Sequence, residues 1–141
     1  MDYTKKQNQN SSCFITPADE HEVLKVISKL KPKRSAGYDN ISAWFIKQTA
    51  HLLIKPLTHI INNSFSMGKF PEKMKLAKVV PIFKTGDNTL MSNYRPISLL
   101  PAFSKIIEKI AAKQLVNYLE SFHLLFQKQF CFRKNILQYI H

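Results

Sequence analysis

The sequence predicts an α+β fold in which helices are arranged around a small antiparallel β-hairpin. Three segments carry apolar residues at the spacing of amphipathic helices. Between the second and third segments lie a short β-branched run, a turn and another extended run, which is typical of a hairpin. The chain has only three glycines in 141 residues, so most of it should be regular structure. This length suits a single domain.

The first helix is expected to begin near Thr16, which can cap it, with Pro17 at the first helical position. Two acidic residues follow at the positive end of the helix dipole. One face is then apolar at the spacing i, i+3, i+4, i+7: Val23, Val26, Ile27 and Leu30. Pro32 should end this helix. Residues 31–40 form a basic loop with an expected turn at Gly37, in which Asp39 should support the turn rather than catalysis.

A second helical zone is expected to begin near Ser42 and run to Met67, because apolar residues recur along it: Trp44, Phe45, Leu52, Leu53, Leu57, Ile60, Ile61 and Phe65. Pro56 should break or kink this zone, since proline removes an internal hydrogen bond. Gly68 suits the left-handed residue that follows a helix. Trp44, Phe65 and Phe70 are expected to be packing residues.

The hairpin is predicted from two extended runs. Residues 76–84 are rich in β-branched side chains, and Pro81 confines them to an edge strand or a bulge. Residues 85–88 are turn formers, and residues 93–99 return antiparallel. Side chains alternate along a strand, so one face should carry Lys78, Val80, Ile82 and Lys84.

A long helix is predicted from about Pro101 to Ser121. Its apolar stripe begins with Phe103, Ile106, Ile107 and Ile110. Another face carries Lys105, Lys109 and Lys113, a pattern more typical of a solvated face than of a binding track. Apolar surface is expected to remain exposed along this helix.

The charge balance is the first indication of a partner. Lysine and arginine number 21 against 9 acidic residues, a formal net charge of +12. This excess favours a polyanion, most often nucleic acid, although a merely basic protein would show the same balance. No apolar run reaches the roughly 18 residues of a membrane helix, so no membrane partner is expected.

The N-terminal residues and the cysteines carry little chemistry. Residues 1–13 are polar and lack the apolar core of a signal peptide, so they are expected to be a disordered leader. Cys13 and Cys131 lack metal-binding spacing, and without an export signal two free thiols are expected. The compartment would be intracellular, nuclear or cytoplasmic.

Six short blocks stand in order along the chain. They are residues 35–41 (SAGYDNI), 68–75 (GKFPEKMK), 78–87 (KVVPIFKTGD), 93–100 (NYRPISLL), the pair Lys105 and Glu108, and residues 129–133 (QFCFR). In order and spacing they resemble the reverse transcriptases of non-LTR retrotransposons, the jockey-like kind especially. Met74 replaces the tryptophan that is usual there, and Cys131 replaces a flexible glycine. The resemblance implies that residues 14–133 are a partial reverse transcriptase domain, the fingers and the start of the palm.

The resemblance also implies roles for two basic residues. In reverse transcriptases, basic side chains on a fingers hairpin meet the triphosphate of the incoming nucleotide, and the blocks place these at Lys84 and Arg95. The residue types suit the chemistry, because lysine is a point charge and arginine can grip phosphate oxygens with two parallel hydrogen bonds. The alternatives are a solvated lysine at a strand end and an arginine paired with a carboxylate.

Further basic residues are candidates for contact with a template or another nucleic acid: Lys31, Lys33, Arg34, Lys78 and Arg133. The first three form a cluster that is equally typical of a solvated loop. Because Cys131 replaces a flexible glycine, the resemblance does not predict the backbone conformation near Arg133.

Polymerase chemistry needs two metal ions held by converging carboxylates. In the family these ions are Mg²⁺, and the carboxylates come from an Asp-bearing strand and a later F/YxDD hairpin, both beyond the last block. The aspartates of this chain lie at a tail, a helix start and two turns: Asp2, Asp19, Asp39 and Asp87. No catalytic residue, metal ligand or cofactor is therefore assigned. Residues 134–141 are interpreted as a degenerate tail, and the chain alone is expected to be inactive.

Two functions remain open at this point. One is a fragment of an RNA-directed DNA polymerase that grips an RNA or DNA template-primer and a deoxynucleoside triphosphate. The other is a basic nucleic-acid-binding module without enzymatic activity.

Overall fold

The fold is taken from a computed structural model that describes residues 14–122 and 124–125. The helices are α1 (Glu20–Ser28), α2 (Ala43–Gln48), α3 (Ala50–Met67), α4 (Glu72–Lys75) and α5 (Ala102–Ser121). The strands are β1 (Lys78–Phe83) and β2 (Tyr94–Leu99), with a 3-10 turn at Met91–Asn93 between them. The predicted α+β class is confirmed. The predicted leader (1–13), the tail (134–141), Arg133 and both cysteines lie outside the described residues.

Helix α1 starts later than predicted. Asp19 is its N-cap, and its carboxylate accepts a hydrogen bond from the amide of Glu22 at 2.6 Å. Thr16 does not cap the helix, because its amide donates to Oε1 of Gln114 on α5 at 2.8 Å. The helix ends at Ser28, before Pro32. The predicted start, with Thr16 as the cap, is therefore wrong by three residues.

The second helical zone is divided at Thr49 and not at Pro56. Thr49 lies outside helical geometry, and its hydroxyl donates to the carbonyl of Phe45 at 2.9 Å. Pro56 lies within α3 and is exposed, so the carbonyl of Leu52 that loses its usual donor lies on a side open to water. Gly68 has φ 60° and ends α3, as predicted.

The core is formed by helices. It contains fully or nearly fully buried side chains from α1, α2, α3 and α5: Val23, Ile27, Ile46, Leu57, Ile61, Ile106, Ile107 and Ile110. Phe65 and Phe70 pack against this core as predicted. Trp44 does not belong to it, since 41% of its surface is exposed. Of the expected core or packing roles, Trp44 therefore has no core role, and its ring lies against the guanidinium of Arg34.

The hairpin is antiparallel, as predicted, with a register that runs from Lys78 opposite Leu99 to Phe83 opposite Tyr94. Pro81 stands opposite Pro96. Both strands of a two-stranded sheet are edges, so two prolines without N–H groups are tolerated. Most hairpin side chains are exposed, which places the hairpin outside the helical core.

Apolar surface is exposed in more places than predicted. Leu115 and Val116 are exposed on α5, as expected, but the hairpin also exposes Val79, Ile82, Phe83 and Ile97. Among the helices that the structure describes, none combines the length and apolar character needed to cross a membrane.

Candidate nucleic-acid interface

Lys84 and Arg95 lie side by side on one face of the hairpin. Arg95 is opposite Ile82, and the amide of Lys84 donates to the carbonyl of Asn93 at 2.8 Å, which extends the ladder by one pair beyond β1. Opposed residues of an antiparallel pair share a face, and so do residues two apart along a strand. Lys84 and Arg95 are therefore diagonal neighbours, with Cα atoms roughly 7–8 Å apart.

The loop between the strands is held by its own side chains. Oδ1 of Asp87 accepts from both the amide and the hydroxyl of Thr89, at 2.8 and 2.7 Å. These hydrogen bonds, the hydroxyl first, lower the pKa of Asp87 below its ordinary value. Nδ2 of Asn93 donates to the carbonyl of Asp87 at 2.8 Å, and the hydroxyl of Tyr94 donates to the carbonyl of Asn88 at 2.8 Å. The loop thus fixes the ends of both strands.

Within the block Asn93-Tyr94-Arg95, the side chains of Tyr94 and Arg95 lie on opposite faces of β2. The ring of Tyr94 packs edge-on against Phe83, with centroids 5.5 Å apart. Because side chains alternate along the strand, Arg95 projects from the opposite face. The bracing role of Asn93 and Tyr94 was not predicted from the sequence, although strand alternation indicates that Tyr94 lies on the face opposite Arg95.

Both cations are available to a ligand. Lys84 and Arg95 are exposed, and within residues 14–122 and 124–125 neither side chain has a hydrogen-bond or ion-pair partner. The alternative of a structural pair between Arg95 and a carboxylate has no support in that part of the chain. Lys78 lies on the same face, at the far end of the hairpin opposite Leu99, and is also exposed.

The structure divides the predicted cluster of Lys31, Lys33 and Arg34. Lys31 and Lys33 line a groove, together with Ser35 and Gly37. Arg34 is instead placed over the ring of Trp44, with its guanidinium carbon 5.4 Å from the ring centroid. The alternation of side chains along this extended segment accounts for the division.

The groove lies between this segment and the start of α5. Its volume is about 350 Å³, and it is lined by five lysines and one carboxylate: Lys29, Lys31, Lys33, Lys105, Lys109 and Glu108. Lys113, the third lysine of the predicted stripe, is instead paired with Glu22. The two groups of lysines were identified separately in the sequence, and their meeting in one groove was not predicted.

Gly37 allows the two walls to meet. A Cβ at this position would lie 2.9 Å from the amide nitrogen of Pro101, so only glycine permits the approach. The predicted turn at Gly37 is confirmed, since the amide of Asn40 donates to the carbonyl of Gly37 at 3.3 Å, and the turn ends at Asn40 with a positive φ of 56°. Asp39 supports this turn as predicted, since its Oδ1 accepts from the amide of Ile41 at 3.2 Å.

The described aspartates do not form a metal site. Asp19 caps α1, Asp39 supports a turn and Asp87 holds the hairpin loop. No group of three or more potential metal-ligating side chains converges in the part of the chain that the structure describes. These residues therefore do not fit the pair of Mg²⁺ ions that polymerase chemistry uses.

Comparison with known proteins gives the family. No protein-family profile matches the chain. The RNA-directed DNA polymerase from mobile element jockey of Drosophila funebris is 31% identical over 118 residues, which are 83% of this chain and 13% of that protein. The probable RNA-directed DNA polymerases from transposon X-element and transposon BS of Drosophila melanogaster are each 32% identical, over 84% and 85% of this chain and 13% of each relative.

The chain thus belongs by sequence to the RNA-directed DNA polymerases of jockey-like non-LTR retrotransposons, as the order of its six blocks predicts. It spans about one eighth of the length of these curated relatives.

Proposed function

We propose that this chain forms the part of a retrotransposon RNA-directed DNA polymerase that grips the incoming deoxynucleoside triphosphate and the template. One observation carries the proposal. Two cations without a side-chain partner among the described residues, Lys84 and Arg95, project as diagonal neighbours from one exposed face of a hairpin whose loop is braced.

The chemistry of nucleotide transfer supports these roles. A triphosphate carries several negative charges, and the leaving pyrophosphate gathers more in the transition state. Fixed cations aimed at that charge lower the barrier. Lys84 supplies a point charge, and Arg95 supplies a planar fork that can bind two phosphate oxygens. Bracing by Asn93 and Tyr94 limits the motion of the strand that carries Arg95, which reduces the entropy lost on binding.

The proposal includes inactivity of this chain by itself. Two-metal catalysis needs converging carboxylates, and the three described aspartates each serve a cap or a turn. Purified chain supplied with primer-template, nucleotides and either Mg²⁺ or Mn²⁺ is expected to extend no primer. Incorporation that persists through repeated purification would contradict this part of the proposal.

The role of Arg95 is tested in a full-length jockey polymerase, at the arginine aligned with Arg95. Its replacement by alanine should raise the KM for nucleotide roughly tenfold or more, because a hydrogen bond to a charged group contributes about 1.5–3 kcal/mol. Replacement by lysine should restore part of the loss. The serine aligned with Ser98, on the other hairpin face, is the control. An unchanged KM in the alanine variant would remove the assigned role.

A second function is favoured by the net charge of +12: non-catalytic binding of RNA or DNA through phosphate contacts. The chain is expected to bind RNA of several sequences with similar affinity, and the affinity should fall steeply as salt rises. Titration of labelled RNA at several salt concentrations measures this. Affinity that is independent of salt would argue against binding by charge.

A further inference from the structure

We infer that the groove between residues 29–43 and the start of α5 is a track for the phosphodiester backbone of one nucleic-acid strand. The inference rests on the proposed binding of nucleic acid and locates it at a site separate from the hairpin. Its five lysines, one carboxylate and volume of about 350 Å³ define the groove.

The groove is built for an anion. None of the five lysine side chains has a hydrogen-bond or ion-pair partner within the described residues. The lysines that do have partners, Lys47, Lys75 and Lys113, lie outside the groove lining. Among the described residues, five cations without ion-pair partners line the groove together with one carboxylate, Glu108, and this excess of positive charge attracts phosphate.

The start of α5 adds to this potential. Ala102 and Lys105, in the first turn of the 20-residue helix, both line the groove. No side chain caps this helix, because its N-cap is Pro101. The positive end of the helix dipole therefore faces the same space as the lysines, and it favours a negatively charged ligand.

The arrangement of charge fits a linear polyanion better than a single compact anion. One wall carries a row of lysines at alternate positions, Lys29, Lys31 and Lys33. The other carries Lys105 and Lys109, which one turn of helix separates by about 6 Å along the axis. Two rows of cations along an open groove match successive phosphates of a strand, whereas a pocket for one phosphate would direct its donors to one point.

Both walls are fixed before any ligand arrives. The amide of Trp44 donates to the carbonyl of Lys33 at 3.2 Å, which anchors the lysine segment to α2. Nζ of Lys47 donates to the carbonyls of Ser28 and Leu30, at 2.8 and 3.0 Å, and so holds the backbone on either side of Lys29. Gly37 lies against the backbone of Pro101 and joins the two walls.

The test compares two double variants of the whole chain. Lys105→Gln with Lys109→Gln removes two charges from the groove. The matched control, Lys55→Gln with Lys73→Gln, removes two exposed lysine charges elsewhere, where neither lysine has a described partner. All four lysines are exposed, so both variants should keep the unfolding midpoint of the wild type.

Binding of a short fluorescein-labelled oligouridylate is measured by anisotropy over a range of salt. Each single-strand phosphate contact contributes about 0.7 to the slope of log affinity against log salt, so the groove variant should lower the slope by about 1.4. The control should lower it far less. Equal losses of slope in the two variants would show that RNA binds to the overall positive charge. That result would contradict a binding site in the groove. A wild type that binds no RNA at low salt would overturn this inference and the binding function together.

Two competitors separate the strand from other anions. Unlabelled oligouridylate should displace the probe, whereas polyglutamate or inorganic triphosphate at the same charge concentration should displace it poorly. Equal displacement by polyglutamate would point to an acidic protein, and equal displacement by triphosphate would point to a small-anion pocket. Either result would contradict the proposal that the groove binds a nucleic-acid strand. The KM test of the arginine aligned with Arg95 does not involve the groove, so it fails or succeeds separately.

Discussion

At the scale of single residues, the motif positions of this chain serve geometry as much as ligand contact. Gly37 is needed for close approach, Asn40 for positive φ, and Asn93 and Tyr94 for bracing the hairpin loop. Lys84 and Arg95 are motif residues whose side chains have no partner in the described part of the chain. Strand alternation predicts the face on which Lys84 lies, whereas the face of Arg95 relative to it follows from the register of the hairpin. Contact of the two residues with nucleotide stays a prediction.

Gly37→Ala is expected to destabilise the fold by about 1–3 kcal/mol, the usual cost of overpacking. The added Cβ would lie 2.9 Å from the nitrogen of Pro101 and 3.1 Å from the carbonyl carbon of Leu100, and backbone atoms cannot rotate away. Urea unfolding measures the change. Ser35→Ala, an exposed neighbour, should leave the midpoint within error. A Gly37→Ala midpoint equal to that of Ser35→Ala would show that the two walls are not held in contact.

The hairpin loop should respond to acid through Asp87. Its folded pKa lies below the ordinary value of 3.8, because Thr89 donates two hydrogen bonds to the carboxylate. The sign follows from linkage: the contribution to loop order is fully present above 3.8 and is lost as pH falls through the lower folded pKa. The amide shift of Thr89, followed by NMR, should stay constant from neutral pH down to about 5 and move only below 3.8. A transition near neutral pH would contradict this assignment.

At the scale of elements, the bounds of helices and strands were predicted well where they depend on residues close together in the sequence. The bounds of α5 agree with its apolar stripe to within one residue, and both strands agree with the β-branched runs. The start of α1 and the break at Thr49 were missed for different reasons. Thr16 is held by Gln114, 98 residues away, whereas the true cap, Asp19, has the local signal of a glutamate three positions later, Glu22. Pro56 is tolerated because it lies on the exposed side of α3.

Lys47, in α2, links this helix to the end of α1. Nζ of Lys47 donates to the carbonyls of Ser28 and Leu30, which lie at and just after the end of α1. A cation is favoured there by the helix dipole, and charged hydrogen bonds contribute about 1.5–3 kcal/mol. Lys47→Met is therefore expected to destabilise the fold by about 1–3 kcal/mol in urea unfolding. Lys55→Met, at an exposed position on α3, should change it by less than about 0.5 kcal/mol.

Equal effects of the two substitutions would show that the carbonyls at the end of α1 are satisfied by water. Lys47 would then be one more solvated lysine, and the backbone beside Lys29 would lose the fixed position that the groove needs.

At the scale of the whole molecule, the described residues divide into a helical core and a hairpin that lies outside it. The groove lies on the surface of the helical part, because its walls come from the segment after α1 and from α5. Four of the five groove lysines were singled out from the sequence, but the groove was not predicted, because its two walls lie about 70 positions apart in sequence and meet where Gly37 lies against Pro101. The hairpin was predictable because its two strands are neighbours along the chain.

This division predicts two levels of protection from hydrogen exchange. Buried helical positions such as Val23, Ile61 and Ile106 should exchange only through global unfolding, because opening α1, α3 or α5 exposes the shared core. Cross-strand amides of the hairpin should exchange faster, through local opening that costs little buried apolar surface. Low concentrations of urea should accelerate exchange of the helical amides and leave the hairpin rates nearly unchanged. The same dependence on urea in both regions would mean that the hairpin unfolds with the core, and that Lys84 and Arg95 are held more rigidly than their exposure indicates.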